Sequence, residues 1–198
     1  MTAIEQTCLD LAKGYEKIEN YEKALAYYRK ISSSPEVFEI IGEYLYLGKG
    51  CTKNRDGARE YFEKAAASGN TDAMCNAALC CDNAKDKLDY YEKAAVKGIP
   101  YAMNMMGLII KASGLRPEEE SVRWFKKAAD EGEAAGQCNY SFLADDPAEK
   151  IRYLKMAVDQ SYKPAMLLYA QYLEEGKYVE RNTSLANEIR EKAANVHK

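Results

Sequence analysis

The sequence is poor in the residue types on which common catalytic sites depend. Its 198 residues include a single histidine, His197, which stands next to the last residue. A serine or cysteine nucleophile would therefore lack its usual general base. We predict no catalytic residues and a protein that is not an enzyme.

Neither sign of charge is in large excess, and long apolar runs are missing. The sequence contains 28 lysines and arginines and 31 acidic residues, which gives a net charge of −3. No basic field favours nucleic acid or an anionic lipid surface. The longest apolar run, Met105 to Ile110, is far too short to span a bilayer. We therefore expect neither nucleic-acid binding nor membrane insertion.

The first residues also lack the basic region and the apolar stretch of a secretory signal. A cytoplasmic location is the corresponding expectation.

A short motif recurs along the whole chain and organises it. It consists of an aromatic pair, a basic residue and an alanine pair, and it is clearest in the run Tyr61 to Ala66. The copies begin at Tyr27, Tyr61, Tyr90, Trp124, Tyr153 and, in a degenerate form, Ile189. Repetition at intervals of 29 to 36 residues is typical of stacked-repeat proteins.

The spacing inside each copy is helical, and a helix-ending signal follows it. Tyr61, Phe62, Ala65 and Ala66 cover adjoining stripes of one helix. Gly69-Asn70, Gly98-Ile99-Pro100, Gly132-Glu133 and Ser161 to Pro164 then mark turns before a second helix. A bundle of unrelated amphipathic helices is the alternative, and the matched copies disfavour it.

The repeats divide the chain into alternating long and short helix-turn-helix units. Their ranges are roughly 5–34, 35–69, 70–98, 99–132, 133–160 and 161–198. Because stacked repeats share one continuous core, we expect a single repeat domain over residues 1–198. The degenerate last copy fits either a terminal helix or a piece of a longer array.

One unit carries a resemblance to a known family. Its features are the pair Ile41-Gly42, the turn Gly48-Lys49-Gly50, the apolar Cys51, the small Ala58 and the run Tyr61 to Gly69. These resemble the Sel-one-like repeat of the tetratricopeptide superfamily, while residues 5–34 are closer to a plain tetratricopeptide repeat. The resemblance implies an all-α, right-handed α-solenoid of about six helix-turn-helix repeats.

The resemblance also implies a function and a set of binding residues. Members are largely adaptors, so we expect a non-enzymatic scaffold that binds a peptide or protein segment in a concave groove. Family members bind through the inner face of each first helix. The corresponding positions are Glu36, Glu39, Glu43, Tyr46, Cys75, Leu79, Tyr101, Asn104, Lys111, Gln137, Ser141, Gln171 and Glu174.

Four of these positions fall on one helical stripe, and three of them are acidic: Glu36, Glu39, Glu43 and Tyr46. This stripe predicts a partner with Lys or Arg near one end, anchored by Tyr46 and Tyr101. The alternative is a solvated helix face. Two other functions stay open: a secreted protein that binds or hydrolyses cell-wall-type ligands, and a self-assembling structural repeat.

Two further motifs suggest ligands but fail on spacing. Gly48-Lys49-Gly50 lacks the spacing and the hydroxyl residue of a phosphate-binding loop. Cys80-Cys81 is not part of a Cys-x-x-Cys pair, and Cys75 and Cys138 share one place in alternate repeats. We predict reduced cysteines that fill helix contacts, with no metal and no cofactor.

Overall fold

The computed structural model describes residues 1–196, and this part of the chain contains helices and no strand. Its helices are α1 (Ala3–Lys17), α2 (Tyr21–Tyr28), α3 (Pro35–Leu47), α4 (Arg55–Ala67), α5 (Ala73–Leu79), α6 (Ala84–Val96), α7 (Pro100–Ser113), α8 (Glu118–Asp130), α9 (Ala134–Leu143), α10 (Pro147–Asp159), α11 (Lys163–Glu175) and α12 (Thr183–Asn195). The predicted all-α class is confirmed.

Consecutive helices pack as pairs, and the pairs fall into two compact units. The first unit covers Met1–Ile99 and contains α1 to α6, and the second begins at Pro100 and contains α7 to α12. Each helix pair coincides with one of the sequence repeats, except that α1 begins at Ala3, two residues before the predicted first unit. The predicted single repeat domain stays a prediction.

Glycine on the first helix of a pair makes room for a ring on the second. A Cβ atom on Gly42 would lie 2.6 Å from Cε1 of Phe62, and one on Gly107 would lie 2.6 Å from Cε1 of Phe125. Both rings are almost fully buried. The close approach of α3 to α4, and of α7 to α8, therefore requires glycine at these positions.

The repeated motif serves the core and the surface at once. Its alanines pack at the centre of the unit, as Ala65 does. In the first four copies the first aromatic residue is half-buried, and the lysine three positions later lies over the ring. Lys64 Nζ is 4.7 Å from the centre of the Tyr61 ring, and Lys127 Nζ is 4.3 Å from that of Trp124. The lysine thus covers the exposed side of the ring by a cation–π contact.

Most second helices begin with a side-chain cap that the sequence carries. The side chains that accept from backbone N–H groups there belong to Asn20, Asn54, Asn83, Asp146 and Asn182. Ser34 caps α3 in the same way, as predicted. Each cap satisfies a donor that the helix itself leaves unpaired.

Long and short pairs satisfy the carbonyl groups at the end of their first helix in different ways. In two of the long pairs, α3–α4 and α11–α12, the connecting loop folds back, so that Asn54 N–H donates to the Leu45 carbonyl at 2.8 Å. Asn182 N–H donates to the Leu173 carbonyl at the same distance. The short pairs use a basic side chain instead.

In the first unit, Arg55 supplies this basic side chain: its Nη2 donates to the Leu79 carbonyl at 2.8 Å, at the end of α5. In the second unit, Lys150 Nζ donates to the carbonyls of Ser141 (2.7 Å) and Phe142 (3.0 Å), at the end of α9. These bonds replace the backbone donors that the shortened turn no longer supplies.

Candidate functional site

The first unit contains a cavity of about 280 Å³ between the first helices of two neighbouring pairs, α3 and α5. It is lined by Glu43, Tyr46, Leu47, Phe62, Asn76 and Leu79. Three of the predicted binding residues, Glu43, Tyr46 and Leu79, therefore lie together. The cavity thus brings predicted residues of two neighbouring pairs to one concave site.

The cavity has apolar walls and a polar rim. Phe62 forms the buried floor, while Leu47 and Leu79 are exposed at its opening. Glu43 and Asn76 supply the polar groups. A tyrosine such as Tyr46 offers both a ring and a hydroxyl, a combination that is common where one protein binds another.

Two other carboxylates of the acidic stripe are occupied by hydrogen bonds within the fold. Glu39 accepts from Asn70 Nδ2 at 2.5 Å and from Asn76 Nδ2 at 2.9 Å. Glu36 accepts from Ser34 Oγ at 2.6 Å, next to the cap of α3. Glu39 thus ties α3 to α5 and fixes the orientation of Asn76 at the cavity.

Glu43 differs from the other two because its carboxylate lies at the cavity. Partial removal from water raises its pKa, and the negative charge of Glu39 adds to this effect, while Lys49 opposes it. A cation placed beside Glu43 would lower this pKa and so offset the shift. Of the acidic stripe, Glu43 is therefore the carboxylate best placed to contact a basic group.

In the second unit, some of the predicted binding residues are buried and others are exposed. Asn104, Gln137 and Ser141 are buried, with exposed fractions of 3%, 1% and 1%. Asn139 Nδ2 donates to Asn104 Oδ1 at 2.8 Å, and Gln160 Nε2 donates to Gln137 Oε1 at 3.0 Å. Asn104 and Gln137 thereby link helices, whereas Ser141 Oγ donates to the Cys138 carbonyl of its own helix at 2.7 Å. Burial keeps all three side chains from contacting a partner.

The remaining predicted residues of this unit are exposed. Gln171 Nε2 donates to Glu175 Oε1 at 2.7 Å, and Arg190 Nη2 donates to Glu174 Oε2 at 2.5 Å. Tyr101 and Lys111 lie at the two ends of α7. Cys75, a predicted binding residue of the first unit, is buried, so a partner cannot contact it.

Sequence reasoning missed three residues of the cavity. Leu47 lies one position after Tyr46 and was off the predicted stripe, although it stands four residues after Glu43. Asn76 and Phe62 enter from α5 and α4, so only the packing of these helices on α3 brings them to the cavity. The spacing of Leu47 was the one signal in the sequence that could have found any of them.

The cysteines act as core residues. All six are free, and all but Cys51 are buried. Burial raises the pKa of the Cys75, Cys80 and Cys138 thiols to about 11. They are therefore protonated and unreactive near neutral pH.

Across residues 1–196, no three His, Cys, Asp or Glu side chains come together as a metal site. His197 lies outside the described residues. Among the described helices, none has the combination of length and apolar character that crossing a bilayer requires.

Several solved structures share this fold. A Sel1 repeat protein from Oxalobacter formigenes superposes with a TM-score of 0.78 at 19% identity, over 96% of this chain and 85% of that one. The antigen c5321 of uropathogenic Escherichia coli, which has an SLR fold, gives 0.80 at 21% identity, over 97% of this chain and 46% of that one.

A more distant structure, the immunity protein Pa5087 of Pseudomonas aeruginosa, gives a TM-score of 0.61 at 13% identity, over 99% of this chain and 83% of that one. Comparison with curated protein sequences found no match. At these identities the likeness concerns the fold, and it confirms the predicted repeat architecture.

The repeat model that matches the sequence falls on the long pairs and on the first pair. The Sel1 repeat matches residues 10–34, 41–70, 100–133 and 163–195, which is more than half of the chain. The unmatched stretches contain α5–α6 and α9–α10, the two pairs with shortened turns. With its motif, its helix pairs and this match in agreement, the chain belongs to the Sel1 repeat family.

Proposed function

We propose that this protein is a non-enzymatic scaffold or adaptor that binds a peptide or protein segment at the cavity between α3 and α5. The observation that carries the proposal is the cavity itself, which places apolar walls beside the carboxylate of Glu43. The Sel1 repeat fold commonly mediates protein–protein interaction, which supports this assignment. The lining residues offer one carboxylate and no pairing of nucleophile and base, which favours binding over catalysis.

The cavity's chemistry describes the segment that would fit. An apolar side chain of the partner enters between Leu47 and Leu79 and contacts the ring of Phe62. A Lys or Arg close to it in the partner's sequence pairs with Glu43, and Tyr46 covers the contact. Burial of the apolar group supplies most of the affinity, while the charge pair supplies orientation and selectivity.

The proposal is tested by selecting binders from a random peptide library displayed on phage and measuring their affinity by calorimetry. We expect the selected peptides to combine an apolar or aromatic residue with a nearby Lys or Arg. Leu79→Asp should weaken their binding about tenfold or more, because it places a charge in the apolar wall. Leu115→Asp, the same change at an exposed leucine of the second unit, is the matched control.

A charge reversal separates the roles of the acidic residues. Glu43→Lys should weaken the peptides that carry Lys or Arg, whereas Glu36→Lys should leave their binding nearly unchanged. Peptides that bind Leu79→Asp and Glu43→Lys as well as the wild type would remove the assignment to this cavity.

A further inference from the structure

The first helix and Ile18, the residue that caps its end, carry an exposed stripe that nothing in residues 1–196 covers. The stripe consists of Ile4, Thr7, Leu11, Gly14 and Ile18, spaced by three, four, three and four residues. The exposed fractions of Ile4, Leu11 and Ile18 are 77%, 41% and 69%. Apolar residues spaced alternately by three and four positions are typical of a helix face that packs along another helix. We call these five residues the α1 stripe.

The equivalent face of α3 is buried by another helix. Thirty residues further along, Val37, Ile41 and Tyr44 occupy the places of Thr7, Leu11 and Gly14, and all three are buried. The ring of Tyr44 meets that of Tyr28 on α2 edge-on, with 6.0 Å between centres. In this repeat, the stripe is therefore the face on which a neighbouring helix packs.

Both ends of the α1 stripe are apolar, whereas the corresponding positions of the next repeat are not. Ile4 and Ile18 stand where α3 has Ser34 and Gly48. If this helix face stayed in contact with water, isoleucine at these two positions would add no stability, and polar residues would serve equally well. Their presence favours a face that is covered when the protein functions.

Gly14 is the second independent sign of a covering helix. A glycine inside a helix costs about 1 kcal/mol relative to alanine. A Cβ atom on Gly14 would meet no atom within 4 Å, so packing within the chain does not require glycine there. The close approach of another helix backbone does require a small residue, as Gly42 and Gly107 illustrate within each unit.

We propose that the α1 stripe binds the α1 stripe of a second copy of this chain, with the two helices antiparallel about a two-fold axis at Leu11. The order of the stripe, large, small, large, small, large, is the same in both directions. Ile4 of one copy then faces Ile18 of the other, and Thr7 lies within one residue of Gly14. A two-fold interface needs such a self-complementary surface.

The charges beside the stripe fit the same arrangement. Asp10 and Lys13 are both exposed on the edge of α1 that faces away from its own core. In the antiparallel pair Asp10 of one copy flanks the interface, and the long side chain of Lys13 of the other copy can reach it on the same side. The symmetry forms this ion pair twice, and it gives the second copy an electrostatic reason to bind in this direction.

Sedimentation equilibrium on the purified full chain tests the proposal. We expect a reversible monomer–dimer equilibrium, and Leu11→Asp should weaken it about tenfold or more because two carboxylates would meet at the axis. Leu115→Asp, which makes the same change in the second unit, should associate like the wild type. Circular dichroism melts show whether both variants are folded.

A charge exchange and a cross-link test the direction of packing. Lys13→Asp should weaken the dimer, and the double variant Asp10→Lys with Lys13→Asp should restore it. Leu11→Cys should give a covalent dimer with a short bifunctional maleimide, while the wild type and Leu115→Cys treated alike should not.

Three outcomes would overturn the proposal. The first is a monomer at every concentration. The second is a dimer that Leu11→Asp does not weaken. The third is a mass that climbs beyond the dimer, which would mean that α1 packs on another surface of the next copy in an open array.

Discussion

At the scale of single residues, one backbone position recurs after the second helix of several pairs. It has positive φ and is glycine in three of them: Gly69, Gly98 and Gly132, with φ of 108°, 86° and 87°. In the fifth pair the same place is taken by Ser161, with φ of 58°. A residue with a side chain pays about 1 kcal/mol or more in this left-handed region, where glycine does not.

We therefore expect Ser161→Gly to raise the free energy of unfolding by about 1 kcal/mol. Urea denaturation followed by circular dichroism measures the change. Gly98→Ser is the converse control, because a Cβ atom there meets nothing within 4 Å and only the backbone strain changes. It should lower stability by a similar amount. A Ser161→Gly protein no more stable than wild type would contradict the assignment.

At the scale of elements, the short pairs depend on basic side chains that sequence repetition does not reveal. Lys150 belongs to α10, its side chain is buried, and its Nζ atom donates to two carbonyls of α9. Burial lowers its pKa, whereas Asp145 acts in the opposite direction. The ammonium group stays in place because it satisfies carbonyls that would otherwise lack a donor.

Lys150→Met should accordingly lower the free energy of unfolding by about 2 kcal/mol, since it leaves those carbonyls without their charged donor. Lys155→Met, at an exposed position of the same helix, should change stability by less than about 0.5 kcal/mol. Thermal unfolding of the two variants gives the comparison, and equal melting temperatures would show that the Lys150 bonds contribute nothing.

A second element contact predicts a dependence on pH. Glu5 accepts from the backbone N–H of Thr2, from the backbone N–H of Ser32 and from Ser33 Oγ, so it ties α1 to the segment that follows α2. These bonds, that from Thr2 first, lower the pKa of Glu5 from its ordinary 4.5 to about 2. A depressed pKa means that the folded protein favours the ionised carboxylate.

The stabilisation from Glu5 is therefore complete above about pH 4.5 and is lost as the pH falls toward 2. Glu5→Gln should remove this part of the acid dependence. Urea midpoints measured between these two pH values should fall less steeply in the variant than in the wild type. Parallel curves would show that Glu5 does not carry the effect.

At the scale of the whole molecule, the predicted single repeat domain can be tested with a natural probe. The sole tryptophan, Trp124, lies on α8 and reports the second unit, while circular dichroism reports all helices. If the repeats share one continuous core, both signals should follow one urea transition.

The variant Gly42→Ala, which crowds Phe62 in the first unit, sharpens this test. In a single cooperative domain it should shift the Trp124 fluorescence transition together with the circular dichroism transition. A fluorescence transition that stays in place would mean that the two compact units unfold separately.

The repeat motif shows which features of the fold and of the candidate site can be predicted from the sequence. The spacing of Tyr61, Phe62, Ala65 and Ala66 and the turn at Gly69 predicted the helix pairs, because helical periodicity and turn chemistry are local properties. The same reasoning predicted Glu43, Tyr46 and Leu79 as binding residues and the structure brings them to one cavity, although their binding role stays a proposal. It also selected Gln137 and Ser141, which are buried. A position on a helical stripe does not reveal which side of the helix a neighbour covers.

The sequence by itself determined the helices, their pairing and the family, since these depend on residues close together in the chain. Only the tertiary structure decided which polar groups are free to act. Glu39 looked like its neighbour Glu43 in sequence, yet two asparagines from the next pair bind its carboxylate. Those contacts join residues about thirty or more positions apart. Their geometry follows from how the helices pack, a property that no local pattern carries.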